Sequence, residues 1–273
     1  MIGFRRRARL RVDLRFAAAL VPVLTALSPA AAIAYEAPPP IVAAAADLKF
    51  ALTEIAERFE ADTGGKIQLN FGSSGNFATQ IEQGAPFQLF LSADESYVRK
   101  LAGKGLTADD GVLYAIGRIA LFAPTGSPIV PDTGLAGLKA AIAAGTVTHF
   151  AIANPEHAPY GRAAEQALRS QGLWDMLEPM LVRGENASQA AQFASSGSTE
   201  GGIIPYSLAL APEVSKLGSV ALLPSEWHEP LRQRMVLLKG AGETAVEFYD
   251  YLQRPAAREI FRRFGFLLPS EAS

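Results

Sequence analysis

The stretch Ile67–Asn76 restricts the fold more than any other. Ile67-Gln68-Leu69-Asn70-Phe71 alternates in the way of a half-buried strand. It feeds into Gly72-Ser73-Ser74-Gly75, and Phe77, Ile81 and Ala85 then follow at intervals of four, as on one face of a helix. A strand that turns straight into a helix leaves the first-turn N–H groups without intrahelical partners. At Ser73 and Ser74 those groups, two hydroxyls and the positive end of the helix dipole face one point. Such a junction is either a capped turn or an anion site that needs no charged side chain. One junction alone reads as a capped turn; its recurrence along the chain brings the second reading forward.

The apolar run Ile41–Ala46 suits a buried strand, with Asp47 at an N-cap position before Leu48, Leu52, Ile55 and Phe59 at helical spacing. Phe87–Leu91 is a third strand, ending in Ser92-Ala93-Asp94, and Ile116–Phe122 is part of a longer one. Thr125–Gly134, rich in proline, glycine and threonine, marks a change of unit. A second series follows, with strands at Thr148–Ala153, Met180–Val182, Gly201–Ile204 and Val220–Leu223. Arg232–Leu238 reads as a return strand, and Ala245–Phe264 as one long amphipathic helix with Phe248, Tyr251, Leu252 and Phe261 inward. Strands alternating with helices imply parallel sheets, and two series imply two α/β lobes. Ligands of such sheets bind beyond the C-terminal strand ends, where the turns at Asp47, Ser73–Ser74, Tyr160, Ala187 and Tyr206 would lie. The expected first lobe is discontinuous, residues 40–118 plus 230–273, and the second spans 119–229, with the crossings at strands Ile116–Phe122 and Arg232–Leu238.

The start of the chain has the three-part layout of a secretory signal peptide. Six arginines between Arg5 and Arg15 precede the apolar Phe16–Leu27, and small residues lead to Ala32-Ile33-Ala34. Cleavage near Ala34 would release the protein into the periplasm; the apolar segment is too short for a permanent span. Removing the six arginines and Asp13 takes away a net +5, so the formal charge of −2 becomes −7. An acidic chain without basic runs is a poor partner for nucleic acid or an anionic membrane. With no cysteine, disulfides, thiolate metal sites, cysteine nucleophiles and a lipid-modified N-terminal cysteine are excluded. His149, His157 and His228 lack metal-site spacing, and Ser73 and Ser74 do not complete a G-x-S-x-G elbow. An exported two-lobed chain without a catalytic constellation reads as a binding protein; an exported hydrolase using Ser73 or Ser74 is the competing class.

Several stretches, in order, carry a family likeness. Ala44-Ala45-Ala46-Asp47-Leu48, Phe71-Gly72-Ser73-Ser74, Gln80–Pro86 and Leu89–Asp94 resemble the periplasmic molybdate-binding proteins of ABC importers. So do the loop Asn154–Gly161 and the ending, Phe248–Leu252 and Ile260–Phe266. The resemblance implies a type II periplasmic binding protein fold: two Rossmann-like lobes, a two-strand hinge and a ligand cleft between them. It implies a monomer that binds molybdate or tungstate, has no cofactor or catalytic activity, and serves the transmembrane subunits of an ABC permease without inserting in the membrane. The metal would enter only as the oxyanion, held by uncharged donors. Position by position, Ser74 matches the hydroxyl at the second helix start, and Tyr160 and Ala187 the two contacts of the second lobe. The family's last contact, a tyrosine, falls at Pro205, with Tyr206 one place later; beside these matched positions, Ala46, Ser73 and Pro205 are additional candidates for contact with the ligand.

Two departures stand out: Gln88 replaces a family aspartate, and Asp47 replaces a serine ligand. A carboxylate about 4 Å from an anion would cost roughly 4 kcal/mol per unit charge at an effective dielectric of 20. Three readings of Asp47 follow. It caps its own helix and leaves backbone N–H groups to the ligand; it accepts a proton carried by a ligand such as phosphate or a small organic acid; or the pocket takes a neutral or cationic solute.

Overall fold

The computed structural model describes residues 38–271, together with Gly3. The segment read as a signal peptide lies outside the described residues. From Pro38 the chain forms one unit built on two five-stranded sheets.

The first sheet begins with β1 (Ile41–Ala45), a 3₁₀ turn over Ala46–Leu48 and α1 (Lys49–Thr63). Then come β2 (Gln68–Gly72), α2 (Ser74–Glu82), β3 (Leu89–Ser92), α3 (Glu95–Gly103) and β4 (Val112–Gly117). The chain then enters the second sheet with β5 (Ile119–Pro124), α4 (Ala136–Ala143), β6 (Phe150–Ala153) and α5 (Pro159–Ser170). The short α6 (Trp174–Leu177), β7 (Leu181–Gly184), α7 (Ala187–Ser195) and β8 (Gly201–Pro205) follow. Then come two further short helices, α8 (Tyr206–Ala209) and α9 (Pro212–Ser215), and β9 (Gly218–Leu222). The return strand β10 (Leu231–Leu237) joins the first sheet, and α10 (Glu243–Tyr251) and α11 (Pro255–Arg263) pack on it.

The sheet orders are β2-β1-β3-β10-β4 and β7-β6-β8-β5-β9. β1 runs parallel to β2 and β3, and β6 parallel to β7 and β8. Both sheets are nonetheless mixed. β10 is antiparallel to β3 and β4, and β5 is antiparallel to β8 and β9, because the chain enters each sheet from the other lobe's end. The long strand expected around Ile116–Phe122 is two strands, one per sheet, changing over at Arg118. β10 lies wholly within the first sheet, so the return passage is the stretch 223–230 before it. The proline-rich Thr125–Gly134 joins β5 to α4 on the second sheet's side and is no boundary between the sheets.

The long C-terminal helix is also two, interrupted before Pro255. Proline lacks an N–H and its ring crowds the carbonyl four residues back, so α11 starts anew with proline in its first turn. The inward residues are as expected. Phe248 and Tyr251 meet Phe59 edge-to-face, with centroids 5.1 and 5.3 Å apart, and tie α10 to α1.

Candidate functional site

The first-lobe candidates stand beyond the C-terminal ends of parallel strands. The register pairs Ala45 with Gly72 and Ala44 with Leu91, which brings the turns at Asp47, Ser73 and Ala93 side by side. Ser73 caps α2, accepting from Asn76 N–H at 3.4 Å, and Ser74 Oγ accepts from Ala93 N–H at 3.0 Å. Ser74 is completely buried. Its hydroxyl is an acceptor toward Ala93, so its own hydrogen is left for another acceptor.

The second-lobe candidates lie at equivalent places. β6 leads through the 154–158 loop to Tyr160 in the first turn of α5, and β7 leads through Asn186 to Ala187 at the start of α7. Asn186 caps α7 by accepting from Gln189 N–H at 3.1 Å. Among the described residues, the backbone N–H groups of Ser74, Tyr160 and Ala187 have no protein acceptor. None of these three residues, nor Asp47, pairs with a lysine or arginine side chain. The two lobes touch around them. Ser188 Oγ–H donates to the Ala46 carbonyl and Ser207 Oγ–H to the Asp47 carbonyl, both at 2.8 Å.

Asp47 does not cap a helix. The 3₁₀ turn and α1 both start without a side-chain cap. Its carboxylate turns instead to β10, where Gln233 Nε2 donates to Oδ2 at 2.7 Å. Gln233 Nε2 also donates to Tyr160 Oη at 3.0 Å, while Tyr114 Oη–H donates to Gln233 Oε1 at 2.7 Å. The amide is thus fixed from both ends, across both lobes. A shift of register between Gln233 and Arg234 marks a bulge there, a device that re-aims a side chain. Gly117 faces the same point: a Cβ on it would collide with Tyr160 Oη and lie 2.8 Å from Gln233 Nε2.

Asp47 is buried, and its Oδ1 has no partner. Burial raises its pKa to about 6, against the hydrogen bond from Gln233 and the nearby Tyr160 hydroxyl and backbone N–H, which favour the carboxylate. Tyr160 Oη lies close enough to stabilise that charge, although the contact of good geometry is the one from Gln233. Burial, and then the charge of Asp47, push both Tyr160 and Tyr114 well above the ordinary phenol range.

Tyr206 packs against Arg118. Its N–H donates to the Arg118 carbonyl at 2.9 Å, and its ring lies 5.0 Å from the Arg118 guanidinium carbon. A Cβ on Gly265 would lie 2.7 Å from that ring, and Arg118 Nε donates to the Gly265 carbonyl at 2.7 Å, so Tyr206 packs at the crossing between the sheets. Pro205, the other candidate there, is buried at the end of β8 and has no N–H to offer. Sequence reasoning missed Gln233, Tyr114 and Gly117, whose place in the site comes from pairing across the sheet. It also missed His157, whose Nδ1 shares a 3.0 Å hydrogen bond with Ser73 Oγ. Among the described residues no group of three or more His, Cys, Asp or Glu could hold a metal ion, and no helix is long and apolar enough to cross a membrane.

Residues 41–267 match the family model of bacterial extracellular solute-binding proteins. The chain belongs to this family. Among its relatives, the molybdate-binding protein ModA of Rhodobacter capsulatus is 37% identical over 83% of this chain and 87% of its own. ModA of Azotobacter vinelandii is 37% identical over 82% of this chain and 88% of its own. The solved periplasmic molybdate-binding protein of Azotobacter vinelandii superposes with a TM-score of 0.76 at 30% identity, covering 84% of this chain and 99% of that one. In this solute-binding family the two-lobed α/β architecture is shared, and the site described above lies where its two sheets present their C-terminal strand ends to each other.

Proposed function

We propose that this solute-binding protein captures a tetrahedral oxyanion, molybdate or tungstate, between its lobes and hands it to the membrane subunits of an ABC importer. The observation that carries this is the set of free N–H groups at Ser74, Tyr160 and Ala187, joined by the Ser74 hydroxyl, with no lysine or arginine side chain paired to them among the described residues. Fixed neutral donors at helix starts complement a fully deprotonated oxyanion. Taken by themselves, such donors disfavour a protonated one, because none of them can accept its O–H. The relatives named for molybdate support the choice of ligand. In this reading the first lobe comprises residues 40–118 and 230–273 and the second 119–229. The leader is removed near Ala34, the mature protein acts in the periplasm as a monomer, and the bound anion is released unchanged.

One observation favours a second ligand. The buried Asp47 Oδ1 is an acceptor without a donor, which a hydroxyl on phosphate or on a small organic acid would supply. Isothermal titration of wild type and Asp47→Ser against molybdate, tungstate, sulfate and phosphate separates the two. Under the first reading wild type binds molybdate or tungstate in preference to phosphate. Under the second it prefers phosphate, and Asp47→Ser gains molybdate. Binding of a neutral or cationic solute with no anion bound by either protein would defeat both.

A further inference from the structure

Beside the anion site the lobes meet at a second place. Arg162 of α5 reaches across to the start of α3, where its Nη2 pairs with Asp94 Oδ2 and its Nη1 donates to Tyr97 Oη at 3.1 Å. The guanidinium carbon also stands 5.6 Å from the centre of the Tyr97 ring. Asp94 serves twice. Its Oδ1 accepts from Ser96 N–H at 2.8 Å and caps α3, which fixes the direction in which Oδ2 points. Both members of the ion pair are about two-thirds buried, with side chains 35% and 28% exposed.

The surrounding contacts leave little slack. Gly75 N–H donates to the His157 carbonyl at 3.0 Å, so one of the first-turn donors of α2 is already used in joining the lobes. A Cβ at Gly75 would lie 2.8 Å from that oxygen and 2.9 Å from Tyr97 Oη. Asn76 Nδ2 donates to Glu185 Oε1 at 2.6 Å nearby. Asp94, Tyr97, Gly75 and Asn76 follow strands of the first sheet, and Arg162, His157 and Glu185 follow strands of the second. These bonds therefore exist only while the lobes are together.

We propose that Arg162 is a positioning residue for closure: with Asp94 and Tyr97 it latches the lobes from outside the anion site and sets how long the anion stays. The inference rests on the reading that the anion lies between the lobes. A contact made only in the closed state raises the closed population for every ligand alike, so it scales all affinities by one factor and leaves their ratios unchanged. First encounter takes place with open lobes, so the effect appears in the rate of release. A partly exposed ion pair is also screened by salt.

The test uses the mature protein, labelled molybdate chased with excess unlabelled molybdate, and the variants Arg162→Gln, Asp94→Asn and both together. Asparagine is as good a helix cap as aspartate, so Asp94→Asn removes the ion pair and keeps the start of α3. Either variant should release molybdate about tenfold faster, the equivalent of about 1.4 kcal/mol, with association within about twofold of wild type. The double variant should release it no faster than Arg162→Gln, and the molybdate-to-sulfate affinity ratio should hold throughout. Added salt should speed release from wild type and leave the double variant unchanged. Unchanged release, effects that add in the double variant, or a shifted ratio would each overturn the latch while the anion site stands. If wild type binds none of molybdate, tungstate, sulfate or phosphate, the reading of the site fails and the latch with it.

Discussion

Replacing Asp47 by asparagine should make the protein's stability depend on pH in a way that isolates this one carboxyl. Burial raises the acid from its ordinary 3.8 to about 6, a difference equivalent to about 3 kcal/mol. The sign follows from proton counting. Between those two values the folded protein holds the proton that the unfolded chain has lost, so folding is favoured at low pH. The contribution is fully present below about pH 4 and is lost as pH rises through about 6. Asparagine does not titrate. The stability of Asp47→Asn relative to wild type, measured by urea unfolding between pH 4 and 7.5, should therefore climb by about 2.5 kcal/mol across the window. Groups shifted the other way cancel in the difference. Glu95 is one: burial alone would raise it, but Arg232, Arg99 and Arg234 hold it down at about 2. A difference that stays flat from pH 4 to 7.5 would refute the burial of an ionisable Asp47.

Three further outcomes follow from the same geometry. Tyr160→Phe should weaken molybdate binding by about 0.5–1.5 kcal/mol in a calorimetric titration if the hydroxyl serves the anion; an unchanged affinity would leave only its backbone N–H in that role. Gly117→Ala, whose methyl would strike Tyr160 Oη and Gln233 Nε2, should lose about 1–3 kcal/mol of stability in urea unfolding and weaken binding as well. Molybdate at a hundredfold its Kd should stabilise the wild-type protein by about 2.7 kcal/mol, read as a rise in Tm that grows with ligand concentration; no shift with any oxyanion would count against binding.

What the sequence disclosed follows from the range of the interactions involved. Junctions such as Phe71-Gly72-Ser73-Ser74 are local, so the alternation before them and the four-residue spacing after them marked both elements. The spacing of Leu48, Leu52, Ile55 and Phe59 likewise identified the buried face of α1 and the turn before it. Pairing is not local. The run Ile116–Phe122 is apolar on both sides of Arg118, and nothing in it shows that the chain changes sheets there. Pro255 was a legible breaker, yet the apolar spacing on either side of it favoured one helix over two. Asp47 stood at the right place for a cap, but its carboxylate answers to Gln233, 186 residues away in sequence. The one sequence signal for Gln233 was its place in the alternation Leu231, Gln233, Met235, Leu237, a polar residue among apolar ones on one face of the return strand.

In the proposed complex, uncharged donors at three helix starts hold an oxyanion between the lobes. Crystals of the mature protein grown with molybdate test it most directly, through the anomalous scattering of molybdenum. One strong peak per chain is expected, with the anion's oxygens within about 3 Å of the Ser74 hydroxyl and the N–H groups of Ser74, Tyr160 and Ala187. A peak elsewhere on the surface, or one paired with lysine or arginine side chains, would contradict it.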